Sequence, residues 1–154
     1  MSRFANWLTQ EMTLNNPIFE DSYGRLFGPD VASSKSSQVF FEVFYENFLK
    51  NDNVRVLFRN TDMSTQVQML KRSLFQLVTF YVTGRPSPEL ERIAKIHCGL
   101  AIQPEMFDLW LEALIDTVRT CDIQANETTE MAWCWALAPG ITYMRMRLLD
   151  RQAA

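Results

Sequence analysis

The chain has one histidine, five glycines and three cysteines in 154 residues, and each scarcity excludes something. A lone His97 rules out a zinc site built from several histidines and any metal centre held between two imidazoles. So few glycines, with no Asn-Gly or Gly-Gly pair, remove the usual signals of a β-hairpin. Cys98, Cys121 and Cys134 form an odd set with no short pairing motif, which fits a reducing cytoplasm better than a disulfide framework. No apolar run approaches the roughly 18 residues that crossing a bilayer requires. The Met1–Leu14 stretch carries Arg3 and Glu11 and has no sustained apolar centre, so it is not expected to be a secretory signal. A net charge of −3 without blocks of one sign argues against binding a nucleic-acid backbone. With 47% hydrophobic and 21% charged residues, the composition is that of a soluble globular domain, expected in the cytoplasm and touching neither nucleic acid nor membrane.

What the chain does have is helical periodicity. An N-terminal extension is expected over 1–14, with a short helix over 2–13, followed by one all-α domain over 15–154. Pro17 suits the first turn of a helix ending near Gly28-Pro29. The serine-rich Asp30–Gln38 reads as a loop or a weak helix start. From Val39 to Lys50, Phe40, Phe41, Phe44, Tyr45 and Phe48 make a wide aromatic face. A short turn then carries Val54, Leu57 and Phe58, and Asn60-Thr61-Asp62 supplies caps for the next helix. In that helix Leu70, Leu74, Leu77 and Val78 share a face, with Gln66 one turn earlier on the same side. Pro104 opens a helix striped by Phe107, Trp110, Leu111, Leu114, Ile115 and Val118. Asn126 or Thr128 caps a last helix reaching about Leu149, with a kink expected at Pro139-Gly140.

Between these lies the segment that holds the histidine. Ser87 can cap it, Pro88 fits its first turn and Gly99 ends it. Leu90, Ile93, Ala94 and His97 fall at i, i+3, i+4 and i+7, on one apolar face. An imidazole turned inward either bonds a backbone carbonyl as an ordinary core residue or binds a ligand. Cys98 is its chain neighbour but points about 100° away round the helix, so the two do not form a nucleophilic pair.

Taken together, Phe44-Tyr45, Leu57-Phe58, Gln66 with Leu70, Leu90-Glu-Arg-Ile-Ala-Lys-Ile-His97 and Ile102-Gln-Pro-Glu-Met-Phe107 stand in an order that resembles the globins, over roughly residues 15–150. The resemblance is to bacterial single-domain globins and the haem domain of flavohaemoglobins, and it implies a three-over-three helical sandwich holding haem b. It further implies that His97 is the proximal iron ligand, with Ile93, Ile102 and Phe107 packed on that side. Phe58 would lie against the macrocycle. Tyr45 and Gln66 would donate hydrogen bonds to oxygen or another diatomic gas, and Leu70 would restrict the space beside it. Lys95 and Arg92 are candidates for the haem propionates.

Two departures qualify the resemblance. The Tyr45-to-Phe58 spacing is one residue short, which leaves both Tyr45 and Phe44 open as the residue turned towards the ligand. The tyrosine and glutamate that polarise the proximal histidine in flavohaemoglobins are matched here by Phe107 and roughly Leu148, neither of which can accept a bond from imidazole. A gas-binding role is therefore expected rather than peroxide chemistry, with gas sensing or nitric oxide dioxygenation as the alternatives. No Gly-rich dinucleotide fingerprint occurs and no flavin or nicotinamide domain is expected after residue 154, so a redox cycle would need an external reductase. The last helix carries Trp133, Trp135, Tyr143 and Met144, which serve either a homodimer contact or the core.

Overall fold

Helix-forming segments separated by capping residues dictate the architecture. The computed structural model of the protein describes residues 16–28 and 35–153, so the helix expected over 2–13 lies outside the described residues. Among the described residues seven helices follow in order: α1 (Pro17–Phe27), α2 (Lys35–Phe48), α3 (Asp52–Leu57), α4 (Met63–Thr83), α5 (Pro88–Cys98), α6 (Glu105–Cys121) and α7 (Glu127–Ala153). Among the described residues there is no strand. From the helix pairs in contact, α1, α4 and α5 form one layer over α2, α6 and α7, with α4 packed on α7 and α2 on α6.

Side-chain caps fix most of the starts. Asn16 accepts from Phe19 N at 3.2 Å, Asn51 from Asn53 N at 3.0 Å, and Asp62 from Ser64 N at 3.0 Å. Ser87 accepts from Leu90 N at 3.0 Å and Asn126 from Thr129 N at 3.0 Å, so Asn126 rather than Thr128 caps the last helix. Gly84 closes α4 in the left-handed conformation, φ 72°, which a residue with a Cβ rarely adopts.

Three boundaries differ from the expectation, two of them where a buried side chain overrides local propensity. Helix α2 begins by Lys35, not at Val39, because Ser37 is wholly buried in the helix instead of turning the chain. Residues 52–57 form a helical turn, capped by Asn51 and anchored by a fully buried Val54. Helix α7 stays helical through Pro139 and continues to Ala153, beyond Leu149. The glycine after that proline has its own reason. A Cβ on Gly140 would lie 2.5 Å from Leu77 Cδ2 and 3.3 Å from Leu77 Cα, so the absent side chain is what allows α4 to sit this close on α7.

The core is aromatic at one end. Phe19 meets Trp133 edge-on with ring centroids 4.8 Å apart, and Phe27 meets Phe40 in the same way at 5.0 Å. One polar chain crosses this region. Trp133 Nε1 donates to Ser22 Oγ at 2.9 Å, which donates to Asp122 Oδ2 at 2.6 Å. Arg25 grips both Asp122 oxygens at 2.9 and 2.8 Å, tying α1 to the corner between α6 and α7. Trp133 and Met144 are thus core residues, Tyr143 is half-buried against Phe80, and only Trp135 of that aromatic set is exposed.

Candidate functional site

The two layers do not close completely. Between α4 and α5, floored by α2, α6 and α7, lies a cavity of about 160 Å³. Its lining includes Tyr45, Phe58, Gln66, Leu70, Ile93, His97, Ile102 and Phe107. Eight of the nine residues expected from the sequence are therefore brought to one place, although they come from segments 62 residues apart.

The ninth, Lys95, does not line the cavity. It sits two residues before His97, about 200° round the same helix, on the exposed side of α5. Arg92, the other cation considered there, is exposed and engaged by Glu89, with Nη2 to Oε1 at 2.6 Å and Nε to Oε2 at 3.1 Å. The choice between Phe44 and Tyr45 also resolves. Tyr45 lines the cavity, whereas Phe44 does not and packs fully buried against Phe48 and Trp110.

His97 is placed by its helix and held by its backbone. Pro88 and Ser87 start α5, and the buried stripe of Leu90, Ile93 and Ala94 turns the fourth position of that stripe inward. Nδ1 lies 2.8 Å from the carbonyl of Ile93 one turn back. A carbonyl only accepts, so Nδ1 carries the proton and Nε2 carries the lone pair. Burial pushes the pKa below the usual histidine value despite the opposing effect of the Ile93 carbonyl, so the ring is neutral at pH 7. Among the described residues Nε2 has no hydrogen-bond partner. Phe107 lies beside the ring, with centroids 6.4 Å apart and planes 32° from parallel.

Across the cavity the polar groups are few. Tyr45 Oη donates to the main-chain oxygen of Gln66 at 3.1 Å, and burial raises its pKa, so the phenol stays protonated. The side-chain amide of Gln66 makes no hydrogen bond to the described residues. Phe58 packs against Tyr45 and Phe48, with both centroid distances 6.0 Å.

Several lining residues escaped the sequence reading. Met69, Ser73, Leu77, Trp110, Ile141 and Met144 were legible as apolar or small helix-face positions but carried no sign distinguishing cavity from core. From α7 it is Ile141 and Met144 that reach the cavity, while Leu148 is buried elsewhere. The expected consequence is unchanged, because these two are as unable as leucine to polarise an imidazole. Among the described residues no cluster of three or more His, Cys, Asp or Glu side chains could hold a metal ion, and no helix is long and apolar enough to cross a membrane.

An all-α sandwich with a half-buried neutral histidine facing a tyrosine and a glutamine across an apolar cavity defines the globin class of architecture. A solved structure agrees. A protein from Pseudomonas aeruginosa PAO1, described as structurally highly homologous to a human hemoglobin, matches with a TM-score of 0.72 and 30% sequence identity. The match covers 86% of this chain and 97% of that one. The chain belongs to the globin family. No protein-family model and no curated protein matches it.

Proposed function

We propose that this globin holds haem b in the cavity and reversibly binds a diatomic gas there, with oxygen as the expected ligand. The observation that carries the reading is the state of His97, a single neutral imidazole whose Nδ1–H is given to Ile93 and whose Nε2 lone pair has no partner among the described residues. That nitrogen is the protein's iron ligand in this reading. Held through this one neutral imidazole, haem would supply an iron able to take up a small gas.

The remaining residues fit that group. Ile93, Ile102 and Phe107 give apolar packing on the histidine side, and Phe58 offers a ring to lie against the macrocycle. On the other side Leu70, 5% exposed, limits the free space and Gln66 offers amide donors. The acceptor for the imidazole N–H is a neutral carbonyl rather than a carboxylate, which supports gas binding over peroxide cleavage. The likeness of the bacterial relative to a human hemoglobin supports the same reading.

Reconstitution with haem tests it. The expected result is one equivalent taken up, with a porphyrin absorption band that shifts reversibly under oxygen and carbon monoxide. A protein that stays folded but takes up no haem, or whose bound haem ignores both gases, overturns the reading.

A further inference from the structure

We propose that residues 2–13 form an amphipathic helix that docks, within the same chain, on the bare apolar face around Trp135, where the end of α4 meets the start of α7. The inference is independent of the gas-binding reading above.

The face lies where the chain enters the described fold. The buried Asn16 donates from Nδ2 to the carbonyl of Ala132 at 3.1 Å and to Tyr81 Oη at 3.4 Å, while its Oδ1 caps α1. Its side chain therefore sits in the seam between α4 and α7. Exposed apolar side chains stand next to both partners. Val82 follows Tyr81, and Met131, 66% exposed, precedes Ala132. Trp135 is one turn beyond Met131 and 58% exposed, with its ring edge-on to Tyr81 at a centroid distance of 5.9 Å. A tryptophan left this open beside a methionine and a valine marks a surface suited to covering by another apolar group.

The segment ahead of Asn16 has the matching stripe. In a helix over 2–13, Phe4, Trp7, Leu8 and Met12 share one side, with Glu11 the single charge among them. Ser2, Asn6, Thr9 and Thr13 fall opposite. A helix of that length, about 18 Å, is marginal alone in water and needs a face against which to bury its stripe. It also has the reach. Thr13 to Asn16 spans up to about 10 Å, and Asn16 and the Trp135 ring share Tyr81 as a neighbour.

Amide exchange on the full chain, at low and high protein concentration, tests the docking. Residues 4–12 should exchange at least about tenfold more slowly than an unstructured chain, equally at both concentrations and in a monomer by sedimentation. Exchange at the unstructured rate overturns the proposal. Protection that vanishes on dilution, together with a dimer, also overturns it, because a second copy would then be the occupant.

Thermal unfolding of paired variants locates the contact. Leu8→Asp should abolish the protection and lower the melting temperature by about 4–8 °C, the loss of one buried leucine. Trp135→Ser should free residues 4–12 from the other side, and adding Leu8→Asp to it should lower the midpoint no further. Met131→Ser, at an exposed position that the fold itself does not need, serves the same comparison if Trp135→Ser fails to fold. Ile123→Asp, at an almost fully exposed site, should change neither quantity. If Leu8→Asp lowers the midpoint equally in every background, the segment packs elsewhere and the proposal is wrong.

Discussion

Two glycines of this chain sit inside helices and should answer the same substitution with opposite signs. Gly24, in α1, has nothing within 4 Å of where a Cβ would stand. Alanine there gains helix propensity and restricts the unfolded chain, a stabilisation of about 0.5–1 kcal/mol. Gly140, in α7, has the same gain available but would place its methyl 2.5 Å from Leu77 Cδ2. Rotating Leu77 relieves that contact but leaves Leu77 Cα and Cβ at 3.3 and 3.4 Å, so α4 must also back away from α7. Overpacking of this kind costs about 1–3 kcal/mol. Gly140→Ala should therefore be less stable than Gly24→Ala by about 1–3 kcal/mol, or roughly 2–12 °C in melting temperature for a domain of this size. Thermal and urea unfolding followed by far-UV circular dichroism measure both variants. A Gly140→Ala protein stabilised as much as Gly24→Ala would refute the close crossing of α4 on α7. Because Leu77 also lines the cavity, the clash should appear as weaker haem retention too.

Other expectations rest on single interactions. The guanidinium of Arg25, with help from Ser22, holds the buried Asp122 carboxyl below the usual range, so its contribution is present above about pH 4 and is lost as pH falls through the depressed value. Asp122→Asn should lower stability at pH 7 by about 2 kcal/mol and flatten the acid limb of a urea-midpoint titration; an unaltered acid limb would show that this carboxylate is not the group responsible. Ser87→Ala removes the cap of the histidine-bearing helix and a bond to Gln76, and should cost about 1 kcal/mol and speed haem loss. An unchanged unfolding midpoint would count against that cap.

Much of this was legible in the sequence because the informative residues are few and regularly spaced. The stripe of Leu90, Ile93, Ala94 and His97 announced an inward imidazole, and the cap and first-turn proline before it gave the helix start to the residue. The same periodicity could not tell a cavity from a core. Ile141 and Met144 reach the cavity while Leu148 does not, a difference set by where α7 crosses its neighbours rather than by residue type. Lys95 lies on the exposed side of α5, outside the cavity lining, since sequence proximity to His97 says little about helix face. The choice of Tyr45 over Phe44 needed the rotation of α2, which spacing to Phe58 left one residue ambiguous. Pro139-Gly140 reads in the sequence only as a kink in the last helix, whereas the need for its glycine lies in Leu77, which packs against it from α4.

The central claim is that Nε2 of His97 holds the haem iron. The most direct measurement replaces that side chain and then returns the ring alone. His97→Gly should keep the fold by circular dichroism, and its added haem should lack the spectrum of a single-imidazole complex until free imidazole restores it together with reversible gas binding. If His97→Gly without imidazole shows the same spectrum and haem retention as the unaltered protein, the iron is held by some other group and the account is contradicted.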